Sequence, residues 1–353
     1  MVKMTQPLPT ELSRILTTRA RWSLIEIVFW VVAFASIYFL PEHYLILTEI
    51  VIWALFALSI DLILGFAGVI SLGQAAFFGV GAYAAGLMAK HGIIVEPILA
   101  LIAAGLVAGV LGFLTSFLVL RGSDLARLMV TLGIALVLHE IANRFANITG
   151  GADGLQGVVM EPVLGIFRFD LWGQTAYVYS LIVLFVLFFI ARRVVRSPFG
   201  LSLLAIKGNP LRSAAVGIAV NWRLVAIYTI AAIYAGIAGA LLTQTTSFAS
   251  LEGFSFARSA DGLLILIIGG TGYLYGGLVG ALIFKYMQDW LANITPQYWQ
   301  FWVGLVLVLI VLIGRERIGS WLDPVRRLAE RIGNWRPGKA STLGVSPGDG
   351  GQR

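Results

Sequence analysis

Two motifs in this chain have the spacing of reactive sites, and both lack a residue the chemistry needs. Gly333, Gly338 and Lys339 stand as in a phosphate-binding loop. Ala340 replaces the hydroxyl residue that would reach a magnesium ion, and no strand pattern precedes the loop. His139-Glu140 opens a pattern used by zinc-dependent hydrolases, but Asn143 occupies the position of the second ligand. The three histidines (His43, His91, His139) are scattered, and the chain contains no Cys, hence no thiolate chemistry. No nucleophile–base constellation is visible. The expectation is a protein that is not an enzyme and binds no metal and no cofactor.

The remaining polar chemistry lies inside apolar runs: Glu26, Glu49, Asp61, Glu140, Asp261, Lys285 and Asp289. A charged side chain facing lipid at a helix centre costs about 2.5–3.5 kcal/mol on insertion scales. These residues must therefore face the bundle interior, an aqueous path or the interface. Lys285 and Asp289 are four apart and are expected to pair on one helix face. Asp61 precedes Gly65 by one turn and is a candidate for lining a path. Ser71-Leu72-Gly73-Gln74 puts a hydroxyl and an amide into the glycine-rich run Gly65–Gly86. Irregular backbone at membrane depth survives only where protein or water satisfies it, and in transporters such breaks line the route of the cargo.

The elements that hold these residues are transmembrane helices. The 353 residues are 59% hydrophobic and 12% charged, with a mean hydropathy of +0.89, too apolar to coat a soluble domain. Spans are expected at 22–40, 44–65, 75–89, 97–120, 127–145, 174–191, 223–246, 259–271, 273–292 and 298–314. This is an all-α, polytopic integral membrane protein of about ten helices, with short, glycine-rich, broken segments at 75–89 and 259–271. With the N-terminus cytoplasmic, 20 of the 25 Lys/Arg fall on the inner side, which is the positive-inside pattern; both termini are then cytoplasmic. The net charge of +7 thus follows one membrane face and does not point to nucleic acid. The expected organisation is a cytoplasmic segment 1–21, a membrane domain 22–314 and a cytoplasmic tail 315–353. The distal tail is Pro/Gly/Ser-rich and cannot build a core. Small-residue spacings at Gly105/Gly109, Ala232/Gly236/Ala240 and Gly276/Gly280 predict closely packed helix pairs.

One loop is more than a connector. Residues 192–223 hold six Lys/Arg and no Asp or Glu. Their centre, Ala205–Ile218, reads as a short amphipathic helix. Asn209 suits an N-cap and Pro210 a first turn. A membrane protein with such a loop on its cytoplasmic side is expected to dock a partner there.

These stretches resemble, in matching order, the membrane permease subunit of ABC importers for branched-chain amino acids, in particular the longer, LivM-like member of the permease pair. GFAGVISLGQAAFFGVGAYAAG carries Gly68, Ser71, Gly73 and Tyr83. LRGSDLARLMVTLGIALVLHEI carries Thr131 and Leu132. ITGGADGL carries Thr149, Gly150, Gly151 and Gly154. RSPFGLSLLAIKGNPLRSAAVGI is similar to the coupling segment, and IIGGTGYLYGGLVGA to a G-G-x-G-x-x-x-G motif. The likeness runs over about 45–315.

The resemblance implies a permease subunit that forms, with a second permease, the path for branched-chain amino acids, or for urea or short amides. Its location would be the bacterial inner membrane. Two ABC ATPase subunits would use ATP and Mg beneath it, and a periplasmic binding protein would deliver the cargo. Ala205, Lys207, Asn209, Pro210, Arg212, Ala214, Ala215 and Gly217 would couple to an ATPase groove, acidic to match this basic helix. Asp61, Gly68, Ser71, Gly73, Gln74, Tyr83, Gly269, Gly270 and Gly272 would line the path. Thr149, Gly150, Gly151, Asp153 and Gly154 would meet the binding protein. The rival reading, an ion-driven secondary transporter, rests on Asp61, Glu140, Asp261 and Asp289.

Overall fold

The computed structural model describes residues 24–170, 172–294, 296–298, 300–305 and 308. The segment 1–21, most of the expected span 298–314, and the tail with its phosphate-loop look-alike lie outside them. The described elements are helical apart from two isolated β-bridges, Leu155 with Ala249 and Val163 with Phe167. They are α1 (Leu24–Phe39), α2 (Tyr44–Ile60) running on into a π-helical stretch Asp61–Phe66, α3 (Gln74–Lys90), α4 (Pro97–Val119) and α5 (Asp124–Arg144). After a glycine-rich excursion come α6 (Gln174–Val195), α7 (Pro198–Gly208), α8 (Pro210–Ala215), α9 (Val220–Thr246), α10 (Phe256–Gly269) and α11 (Leu274–Ile294). Residues 300–305 are helical and form part of a separate unit.

Nine of the ten expected spans thus have a helix at or near their place. Among the described residues, five helical stretches are by themselves long and apolar enough to cross a membrane, or six if α10 and α11 count as one bent span. The glycine-rich segments are broken, as their composition suggested. α10 and α11 meet at 109° across residues 270–273, and α3 begins only after the irregular stretch 67–73.

Burial sorts the helices into two classes. The stretch Pro41–Phe66 is 83% buried and α9 78%, whereas α5 is only 17% buried. α2 and α9 are therefore the central columns, and their sequences carry the residues that a centre needs. α9 places Gly236 against Ala108 of α4 and Gly239 against the Phe78 carbonyl of α3. Gly81 of α3 faces the backbone of Gly236, and Gly105 and Gly109 of α4 receive Ile237 and Ile233. A methyl group at any of these glycines would overlap its neighbour, so the helices approach as closely as backbones allow. The small-residue spacings do act as packing interfaces, Gly276 and Gly280 among them, against Gly270 and Ile265.

The ionic contacts differ from expectation in one pair. Lys285 does not pair with Asp289. Its Nζ binds Glu49 of α2 at 3.0 Å, and Asp289 accepts from Asn293 at 3.5 Å. α11 turns Lys285 inward against α2, where Trp53 also covers its charge at 5.0 Å, while Asp289 stays on the exposed side. Glu26 of α1 takes both Arg192 (2.9 Å) and Arg196 (2.8 Å) from the end of α6. A carboxylate with 12% side-chain exposure between two guanidinium groups ties these two helix ends together at one end of the bundle. That end, which also carries α7 and α8, is called the basic end below.

Replacing Gly81 with Val should force α3 off α9 and destabilise the bundle by about 1–3 kcal/mol, the usual cost of overpacking. A lowered thermal midpoint of the detergent-purified protein checks this, with Gly133→Val in α5 as the control because nothing lies within 4 Å of a Cβ added there.

Candidate functional site

The helix breaks and the basic loop meet at one point. At Asp61 the α-helical ladder of α2 widens into the π-helical stretch, a register change that often marks functional positions. This turn leaves the Gly65 carbonyl free to accept from Lys207 Nζ of α7 at 2.6 Å. The Asp61 carboxylate, fully buried, accepts the Gly272 N–H at 2.7 Å, within the turn that separates α10 from α11. Gly65 must lack a Cβ because a methyl group there would collide with the Asp61 carboxylate and the Gly272 nitrogen. Gly68 turns the chain at φ +72° beneath the stem of Lys207. Asp61, Gly68 and Gly272, drawn from the sequence as path residues, therefore sit around Lys207, drawn as a coupling residue.

The first break continues as a short irregular ascent to α3. The Leu72 N–H donates to Thr131 Oγ1 of α5 at 3.2 Å, the Gly73 N–H to Ser71 Oγ at 3.3 Å, and the Ala75 N–H to Ser259 Oγ of α10 at 3.0 Å. These three backbone donors thus find side-chain oxygens, as non-helical chain in an apolar bundle requires. The Gln74 side chain is fully buried, and neither polar atom of its amide has a hydrogen-bond partner among the described residues. Gly269 and Gly270 lie in close contact with Gly276. Tyr83 is elsewhere. It stacks on Phe254 at 5.5 Å and lines an apolar cavity of about 310 Å³ between α3, α4 and α5.

The basic loop is two helices, not the single helix expected over Ala205–Ile218. α7 ends at Gly208 and α8 begins at Pro210, with Asn209 extended between them. The side chain of Asn209 accepts the Arg212 N–H at 2.9 Å, so it is the N-cap that its sequence position suggested, but its extended backbone also breaks the run. Gly217 closes the unit at φ +94°. Ala205, Arg212, Ala214 and Ala215 are exposed. So are two apolar residues the sequence reading did not single out, Leu211 at 85% and Val216 at 78%. Their apolar character looked ordinary in a chain this hydrophobic; only their position on a protruding turn makes them conspicuous.

On the opposite side, Thr149 Oγ1 accepts the Gly151 N–H at 3.3 Å and donates to the carbonyls of Ala142 and Phe145 at 2.5 and 2.9 Å. Gly150 and Gly154 hold positive φ, and a Cβ would collide with the Gly154 carbonyl at the first and with the Phe248 ring at the second. The turn is pinned by paired backbone bonds between Leu155 and Ala249 (2.7 and 3.2 Å), leaving Asp153 exposed at its tip.

A helical bundle with broken spans, and with a basic two-helix projection tied to those breaks, defines a multi-pass membrane permease. The chain belongs to the family described as branched-chain amino acid transport system / permease component, whose model matches residues 44–312. It is an inner-membrane protein and a transport subunit of ABC importers. It is 26% identical over 290 residues to the high-affinity branched-chain amino acid transport system permease protein LivM of Escherichia coli, covering 76% of this chain and 67% of that one. It is also 27% identical over 228 residues to the D-allose transport system permease protein AlsC of Escherichia coli (62% and 67% covered). A third relative is the ribose import permease protein RbsC of Bacillus subtilis, 31% identical over 129 residues (35% and 40% covered). No solved structure matches the chain. The relatives are transport permeases rather than enzymes.

Replacing Lys207 with Met keeps the stem over Gly68 and deletes the donor to Gly65. The expected result is a loss of about 1 kcal/mol in stability, the lower range for a charge-assisted bond near the surface, read from thermal unfolding. Lys207→Arg should lose less.

Proposed function

We propose that this chain is one of two permease subunits through which branched-chain amino acids delivered by a periplasmic binding protein cross the inner membrane. Two ATPase subunits would bind ATP and Mg and drive the cycle. The observation that carries the coupling role is the α7–α8 projection. Its tip exposes Leu211 and Val216 among basic residues, and its base reaches the Gly65 carbonyl through Lys207. An apolar, basic projection of this size fits a groove in a partner with acidic walls. Lys207 then lies between the docking surface and the Asp61–Gly272 contact, so a displacement of α7 bears directly on both helix breaks.

In this reading the basic end is cytoplasmic and the Thr149–Gly154 turn faces the binding protein through Asp153. The path runs beside Asp61, Ser71, Gly73, Gln74 and the Gly269–Gly272 turn. The amino-acid cargo rests on the likeness to LivM, which extends over more of the chain than that to RbsC or AlsC.

The test is reconstitution of the complete complex in proteoliposomes with ATP inside the ATPase compartment. ATP-dependent uptake of radiolabelled leucine, without uptake of ribose, is the expected result. Ribose uptake without leucine uptake would sink the amino-acid assignment. Leu211→Asp combined with Val216→Asp should reduce ATPase co-purification and uptake at least tenfold while membrane insertion stays normal. Undiminished co-purification and uptake would remove the projection from the coupling mechanism.

A further inference from the structure

Several inward-turned cations of the bundle are paired with carboxylates. Glu26 holds Arg192 and Arg196, and Glu49 holds Lys285. Arg258, in the first turn of α10, is partly buried, and its side chain makes no ion pair or hydrogen bond with a described residue. Its guanidinium lies over the rings of Trp53 (4.9 Å) and Phe78 (5.5 Å). Those contacts use the faces of the rings and leave the N–H edge of the guanidinium available for a planar acceptor. Asp261 follows one turn later on the same helix face, also partly buried and without a hydrogen bond or close ion pair to a described residue, although the charges of Arg258 and Lys285 act on it and that of Glu252 acts on Arg258. Positions three apart on a helix lie about 5–6 Å apart at Cβ, yet these two do not close on each other.

Their surroundings favour a small charged guest. Ser259, between them, accepts the Ala75 N–H, so the first turns of α10 and α3 abut. The positive ends of both helices then converge near Arg258, an arrangement that suits an anionic group in broken-helix transporters. Trp53 stands near the middle of the Tyr44–Phe66 run, which sets the pair well away from both ends of the bundle.

We propose that Arg258 and Asp261 form a transit site for a zwitterionic α-amino acid. The guanidinium takes the carboxylate through paired N–H···O bonds, Asp261 takes the ammonium group, and the rings of Trp53 and Phe78 hold the guanidinium in place. The proposal rests on the amino-acid reading above and gives it a physical basis in this chain. A neutral sugar carries neither charge and would leave both side chains without a direct hydrogen-bonded counter-charge. The opposite charge of Asp261 one turn away also moderates the pull of Arg258, as a site on a path must release what it binds.

Equilibrium dialysis of radiolabelled leucine against the purified complete complex, without binding protein, tests this. Retention should be displaced by unlabelled leucine, while leucinol (no carboxylate) and 4-methylpentanoate (no ammonium) should each need at least tenfold higher concentration. Arg258→Gln should weaken retention at least tenfold, and Arg258→Lys should restore part of it. Asp261→Asn should abolish the preference for leucine over 4-methylpentanoate, a change that loss of packing alone would not produce. Equal competition by leucinol or 4-methylpentanoate with the unaltered complex overturns the site without reliance on any variant. A complex that drives leucine uptake but retains none in dialysis, or variants that retain leucine as the unaltered complex does, overturns this inference alone. A complex that takes up ribose and not leucine overturns the amino-acid reading and this inference together.

Discussion

Backbone that leaves the helix inside an apolar bundle must find hydrogen-bond partners there, and the rest of this structure is arranged around that constraint. The chain leaves regular helix at residues 61–73 and again at 270–273. Each departure frees N–H and C=O groups that no water in a bilayer core would satisfy. The answer is mutual. Asp61 in the first break takes the Gly272 N–H of the second, and Lys207 takes the Gly65 carbonyl released by the π-helical turn. Thr131 and Ser259 receive the N–H groups of Leu72 and Ala75. A buried carboxylate, a lysine from a surface helix and two hydroxyls therefore hold the irregular segments together.

The same economy explains the glycines. Gly65 leaves room for the Asp61–Gly272 bond, and Gly81, Gly236 and Gly239 let α3, α4 and α9 come within backbone contact. Close packing of the central columns leaves the outer helices, α5 above all, with apolar faces turned outward. Such faces suit contact with lipid acyl chains.

A permease needs a moving part that is nevertheless anchored. The α7–α8 projection buries Leu203 and Ile206 against the bundle while its tip is exposed, and through Lys207 it also binds a helix break. Breaks are where few backbone bonds resist a change of angle. Mechanical input at α7 would act where the bundle is most easily bent, and the charged pair at Arg258 and Asp261 lies on α10, the helix that ends at the second break.

Much of this was legible in the sequence. Span positions follow from runs of apolar residues, because burial in lipid demands length and hydropathy and little else. The broken segments were marked by glycine, the cap at Asn209 by its neighbour Pro210, and the family by motifs in order. Tertiary structure alone decided the partnerships. Lys285 pairs with Glu49 and not with Asp289, since helix rotation, which composition does not encode, turns one face inward. The loop helix is two helices because the extended backbone at Asn209 interrupts it. Arg258 becomes conspicuous only because packing sets it against Trp53 and Phe78. Local sequence specifies which residues must avoid lipid or water. Which of them meet depends on contacts across as many as 236 positions, from Glu49 to Lys285, and those exist only in the folded chain.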